Sequence, residues 1–163
     1  MSETILNDDF DFSAAPYEVK NAFQGWPRKI RLESNERLFR MLTTEDSTRC
    51  GSSVLSGQWW FDLDTRMQLS QVSHQSGGTL PAAVQSKLAV TREFSQEMEY
   101  LCAIMLKKPI FAWIGVAKWQ HDKTLGVTLL GGFNQIFVPS LAVSSNGLFS
   151  PVARIETFAY AVG

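Results

Sequence analysis

Ser56-Gly57-Gln58-Trp59-Trp60-Phe61 lies one polar loop downstream of Leu38-Phe39-Arg40-Met41, and these two stretches decide the architecture. On an extended strand, successive side chains point to opposite faces, so Trp59 and Trp60 cannot share one core layer. One indole then belongs to the core, while the other borders a cleft or a partner. An arginine closing an apolar strand, followed by small residues that run into a tryptophan pair, makes this region the first candidate for a site.

Working outward, residues 30–32 and 37–42 read as short strands, the second alternating apolar and basic side chains. Residues 43–53 form a polar loop, and 54–55 and 59–63 are strand-like around Ser56-Gly57. Residues 65–79 are polar and read as an exposed loop with the makings of a lid. The clearest helical pattern spans 80–107, a long central segment with Thr79 as cap and Pro81 in the first turn. Val84, Leu88, Met98, Leu101, Cys102 and Met105 supply its apolar spacings of three and four, with a division near Thr91-Arg92-Glu93. Beyond Pro109 the pattern turns to strands at 110–119, 125–130, 135–138 and 154–162. The expected fold class is therefore α+β, with a mixed or mostly antiparallel sheet core.

A chain of 163 residues is expected to form one domain. Residues 1–13 are acidic and sparse in apolar side chains, which predicts a flexible or loosely docked arm, with 14–163 as the globular unit. Tyr17, Val19, Ala22 and Phe23 suggest a short helix after Pro16. A net charge of −1 argues against general affinity for nucleic acid. The longest apolar run, 109–117, is too short to span a bilayer, so no membrane partner is expected. The acidic N-terminus lacks the basic and apolar regions of a signal peptide, which predicts a cytoplasmic protein and leaves open export without a cleaved signal. Cys50 and Cys102 have no metal-type spacing and read as free thiols in a reducing compartment.

No P-loop, dinucleotide fingerprint, Cys/His metal pattern or nucleophile elbow is present in the sequence. His74 and His121 stand far apart and read as surface residues. Two stretches carry positive chemistry. In the first, Arg40 precedes Ser52-Ser53 and Ser56-Gly57; its planar fork matches two phosphate oxygens, and small serines donate hydrogen bonds without filling a cleft. Trp59 would wall the pocket and stack on a flat ring. In the second, Gly131-Gly132-Phe133-Asn134-Gln135 enters a short strand on which Ile136 and Val138 face the core, so Gln135 faces outward, where it can hydrogen-bond a sugar hydroxyl. The same residues also fit structural roles: Arg40 pairing with Glu36 or Glu45, the tryptophans as core and rim, and Gln135 satisfying neighbouring backbone.

Together these segments resemble the ADP-ribosyltransferase-like fold, whose members use NAD. The group with a Gly-Arg-Trp segment after its arginine strand, small NAD-degrading toxins, is the nearest analogue of Ser56-Gly57-Gln58-Trp59-Trp60. The resemblance implies Arg40 as the phosphate binder, Ser53 or Ser56 as the central serine, Trp59 beside the nicotinamide and Gln135 as the late-strand residue at the ribose. It implies NAD as substrate, cleavage of the nicotinamide–ribose bond by transfer or hydrolysis, and a protein acceptor. The family's late strand provides a glutamate where this chain has Asn134, Gln135 and Phe137. A neutral amide lacks the charge that stabilises an oxocarbenium ion, so the acid would have to come from Glu156 on the closing strand. The alternative is a non-enzymatic interaction module, an inhibitor, immunity or assembly factor, that presents its nearly uncharged C-terminal third to a protein partner.

Overall fold

The computed structural model describes residues 5–42, 57–91, 100–139, 141 and 152–160, with an α+β architecture in which every pairing between named strands is antiparallel. One sheet has the order β1 (Arg28–Leu32), β5 (Ile110–Val116), β8 (Asn134–Phe137), β3 (Trp59–Trp60). A second has the order β2 (Arg37–Leu42), β4 (Tyr100–Leu106), β9 (Ala153–Tyr160). A separate hairpin pairs β6 (Gln120–Asp122) with β7 (Val127–Leu129). Among the described residues a 3-10 turn at Phe12–Ala14 and three α-helices complete the order: α1 (Tyr17–Lys20), α2 (Leu63–Ser76) and α3 (Leu80–Lys87).

Strand alternation explains how the layers stack. Leu38 and Leu42 of β2 join Trp60, Ile104, Ile110 and Ile136 in the core between the two sheets. Phe39 and Met41, one position out of phase, pack with Leu69 of α2 and Val84 of α3, so the helices cover the outer side of the second sheet. The outer side of the first sheet carries Trp113 and Phe137, covered by Phe12, Val19 and Phe23 of the N-terminal segment. Trp59 packs on that outer aromatic layer and Trp60 is buried in the inter-sheet core, as the alternation of the pair requires.

Three expectations are corrected. The long helix over 80–107 does not form: α3 stops at Lys87, and residues 100–106 are the central strand β4 of the second sheet. Both sides of β4 are buried, so its apolar residues run continuously and no period distinguishes strand from helix. The lid expected over 65–79 is instead α2, capped by Asp62, whose carboxylate accepts from the Thr65 amide at 2.8 Å, and closed by Gly77 at φ 69°. Its buried stripe is only Thr65, Leu69 and Ser73, too polar to read as a helix from hydropathy. From residue 5 onward, the expected flexible arm is docked. Asn7 is buried and donates to the carbonyls of Phe111 (3.2 Å) and Pro139 (2.7 Å), and the Phe10 ring lies 5.0 Å from that of Trp113. Among the described residues, no helix is long and apolar enough to cross a membrane.

The loop entering β8 is locked to α3. Gly131 donates to the Ser86 carbonyl at 2.9 Å and Phe133 to that of Lys87 at 3.1 Å. Gly131 adopts φ 68°, and a Cβ there would run into the Ala117 carbonyl, whereas Gly126 at φ 67° has open space around it. Gly131→Ala is therefore expected to destabilise by about 2–3 kcal/mol, and Gly126→Ala by about 1 kcal/mol, in urea unfolding. Equal costs at the two positions would contradict this packing of the β8 entrance.

Candidate functional site

A cleft of about 370 Å³ opens between the 17–22 segment, the 118–120 segment leaving β5, Trp59 of β3 and the 88–91 segment after α3. Trp59 forms one wall, held by the rings of Phe137 (5.2 Å) and Phe23 (5.5 Å). Side-chain hydrogen bonds fix the spacing of the banks. Gln135 donates to the Ala22 carbonyl at 2.8 Å, and Gln120 to the Asn21 carbonyl at 3.1 Å. Lys118 donates to Asn21 Oδ1 at 2.9 Å. Backbone pairing adds a bond from the Lys118 amide to the Ala22 carbonyl at 2.9 Å. Glu18 and Lys118 are the charged groups among the described lining residues; carboxamides, Thr91 and the polar tips of Tyr17 and Trp59 are the other polar ones. Among the described residues no cluster of His, Cys, Asp and Glu could hold a metal ion.

Of the residues singled out by sequence, Trp59 and Gln135 come together in this cleft, and Arg40 and Glu156 do not. Ser53 and Ser56 lie outside the described residues. Arg40 alternates in phase with Leu38 and Leu42, so it faces the inter-sheet side of β2, where its guanidinium carbon sits 5.5 Å from the Trp60 ring centre and beside Gly57. Trp59 faces the opposite side of its sheet. The period of two that separates the indoles also separates Arg40 from the cleft. Glu156 accepts from Arg37 Nε and Nη2 at 2.7 and 2.9 Å, and so is held outside the cleft lining. That hydrogen-bonded guanidinium holds its carboxyl below the usual carboxylate range, leaving an ionised structural partner and not a proton donor. Gln135 has its amide nitrogen committed to the Ala22 backbone, and is only 7% exposed.

Cys102, the free cysteine among the described residues, is buried opposite Arg40 in the β2–β4 register. Burial pushes its thiol up to about 11, with the Arg40 charge opposing, so it is an inert core group at neutral pH. Cys50 lies outside the described residues. Sequence reasoning missed Tyr17, Asn21 and Lys118 as cleft residues. The signal available is weak: Tyr17-Glu18 opens a helix expected to end near Gly25 that stops at Lys20, and Lys118-Trp119 reads as the end of a buried strand.

No family model and no curated protein matches the chain. Two solved structures are similar to it in fold. A chain of the structure of Tne2 in complex with Tni2 aligns with a TM-score of 0.55 and 11% identity, over 85% of this chain and 96% of that one. A chain of Rhs1-CT in complex with its cognate immunity protein RhsI1 aligns with a TM-score of 0.52 and 16% identity, over 83% of this chain and 81% of that one. Both matched chains come from two-protein assemblies, one of which contains an immunity protein. The likeness is one of fold, and it points away from the expected description of the chain as an NAD-acting, toxin-like transferase or glycosidase.

Two titrations test these placements. A thiol whose folded pKa is raised keeps its proton longer when folded, so Cys102 should lower stability as pH climbs from the ordinary 9.0 to about 11. Cys102→Ala should flatten that decline in urea unfolding, and native Cys102 should resist alkylation until the protein unfolds. For Glu156 the sign is reversed, because its folded pKa is depressed. The small stabilisation by its ion pair with Arg37 is present above the ordinary 4.5 and lost as pH falls through the lower folded value. Glu156→Gln should therefore differ from the parent at neutral pH and converge with it in acid.

Proposed function

We propose that this chain is a non-enzymatic binding module of the immunity-protein kind, a folded domain that binds one partner protein and blocks it. The observation that carries this reading is the likeness of fold to chains of two-protein assemblies, one of them containing a cognate immunity protein. The chemistry of the cleft supports it. Its carboxamides are used as struts between the banks, and the arginine and glutamate that an NAD-cleaving site would need are engaged elsewhere. Trp59 and Gln135 are positioned by these contacts as parts of a rigid recognition surface. Pre-formed banks limit the ordering cost that a partner must overcome on binding.

The test is reconstitution from two purified chains, after the partner has been isolated on this protein from its cell of origin. A complex with one copy of each chain is expected, with nanomolar or tighter affinity and with stoichiometric loss of the partner's activity; the tightest protein complexes known include immunity pairs. NAD added to the chain alone is expected to leave its Tm unchanged and to release no nicotinamide. Nicotinamide release, or stabilisation by NAD, would overturn the reading.

A further inference from the structure

The cleft holds one polar group that its own struts leave open. Gln135 is the buried polar side chain among the described lining residues, 7% exposed. The Ala22 carbonyl accepts from its Nε2 at 2.8 Å and from the Lys118 amide at 2.9 Å. A carbonyl only accepts, so it holds the NH₂ end of the carboxamide toward the bank and turns Oε1 away from it. Among the described residues nothing donates to that oxygen. It is not sealed in the core either, since Arg66 Nε is the sealed side-chain polar atom without a partner among the described residues. Gln135 Oε1 is therefore a fixed acceptor with an open side, on a residue that lines a cleft of about 370 Å³. An acceptor so largely buried is poorly hydrated, which favours any donor that reaches it.

A second feature of the same cleft is a strained wall. The Val90 amide donates to the Gln85 carbonyl at 3.0 Å, closing α3 with a turn whose pivot, Ala89, takes φ 53°. Glycine is the strain-free residue at such a pivot. Here an alanine stands in that place, buried, between Leu88 and Val90 in the cleft lining. A methyl group kept despite backbone strain points to a wall whose shape matters for what it meets. With Val19 and Trp59, these residues make the cleft mainly apolar. Glu18 and Lys118 carry opposite signs, and Lys118 is tied to Asn21, so the lining selects no net charge. An ion of either sign would lose hydration in the cleft and meet a like charge on its lining. From these features we infer that the cleft receives one uncharged ring bearing a hydrogen-bond donor. The ring is a tryptophan or tyrosine side chain of the partner, its N–H or O–H meeting Gln135 Oε1. Ring residues of this kind, seated in pockets, anchor protein interfaces. This rests on the protein-binding reading above, and deepens it by naming the pocket and the anchor that it takes.

The probe is N-acetyltryptophanamide, titrated into ¹⁵N-labelled protein beside its benzothiophene analogue, which has the same shape with sulfur in place of the ring N–H. Shifts are expected at the Trp59 indole N–H, the Gln135 side-chain amide and the Ala89 amide. The benzothiophene probe should bind about three- to tenfold more weakly, as the loss of one hydrogen bond predicts. This comparison changes the ligand alone, so it does not depend on whether a Gln135 variant folds. Ala89→Gly should keep or raise the Tm while weakening the tryptophan probe about fourfold, the effect of one buried methylene. Equal binding of the two probes, or shifts that leave Trp59 and Gln135 unmoved, overturns the site. The reconstituted complex separates the two claims. A partner that binds without moving the Trp59 and Gln135 signals sinks this site and leaves the immunity-type reading standing. Binding of the tryptophan probe as expected, by a chain for which no partner is found, sinks that reading and leaves a pocket for a free ring compound of the same chemistry.

Discussion

Phe39 and Phe61 exchange both of their backbone hydrogen bonds, at 2.8 and 2.9 Å, although they belong to segments of different sheets. Their rings stack at 6.1 Å, and the Arg66 guanidinium lies 4.9 Å over that of Phe39. The chain pairs with β8 through Trp59 and Trp60, and one residue later it pairs with β2 of the other sheet. Three consecutive side chains therefore enter three different layers: Trp59 the outer aromatic layer, Trp60 the inter-sheet core and Phe61 the layer under the helices. Alternation alone separates two layers; the corner at Phe61 supplies the third. Removing that corner would unlink the sheets and free α2, whose capping residue Asp62 follows immediately.

How much of this was legible depends on whether a segment has one buried side or two. β1, β2, β5 and β8 were placed within a few residues because a turn, a proline or a charged face bounds each of them. Ile136 and Val138 take the core as the alternation requires, but the side expected to face outward is buried too: Phe137 lies under the N-terminal aromatics and Gln135 meets the Ala22 carbonyl. β4 failed because its two sides face two cores, which erases the period that distinguishes strand from helix. α2 failed for the opposite reason. Its stripe of Thr65, Leu69 and Ser73 is small and polar, and its real signals are the Asp62 cap, hidden inside the strand reading of 59–63, and the Gly77-Gly78 exit, which reads as loop punctuation. Of the hairpin, β7 lies within the strand expected over 125–130, whereas β6 has no counterpart in the reading and Leu125 sits in the turn that Asp122 closes.

The same alternation rule that placed the tryptophans dismantled the site built around them. Arg40 and Trp59 sit on strands that meet at the Phe61 corner, and proximity in sequence made a shared cleft attractive. Phase decides otherwise: Arg40 is in register with Cys102 and faces Trp60, the indole on the inner side. Glu156 is in a different sheet from Gln135, and Arg37 holds it with two hydrogen bonds. A constellation assembled from one-dimensional motifs fails when its members differ in phase by a single residue, because that residue moves a side chain through the full thickness of a sheet.

What the cleft retains is geometry, with Glu18 and Lys118 as its charged described lining residues and Lys118 tied to Asn21. A bond-breaking site needs a group placed to stabilise charge that develops in the transition state, and such groups work because they are pre-aimed and otherwise uncommitted. Here Gln135, Gln120 and Lys118 each make a hydrogen bond across the cleft, so moving any of them to a substrate would release one bank from the other. A binding surface has the reverse requirement: its polar groups are best satisfied beforehand, and its apolar groups are best left exposed. The interior of the cleft meets the first condition, and Tyr17, Trp119 and Leu130 at its margins meet the second. The division of labour runs along the chain itself at 118–120, where the exposed Trp119 stands between the struts Lys118 and Gln120. Period two thus sets the edge beside the cleft as it set its wall at Trp59, turning one residue toward the protein and the next toward solvent.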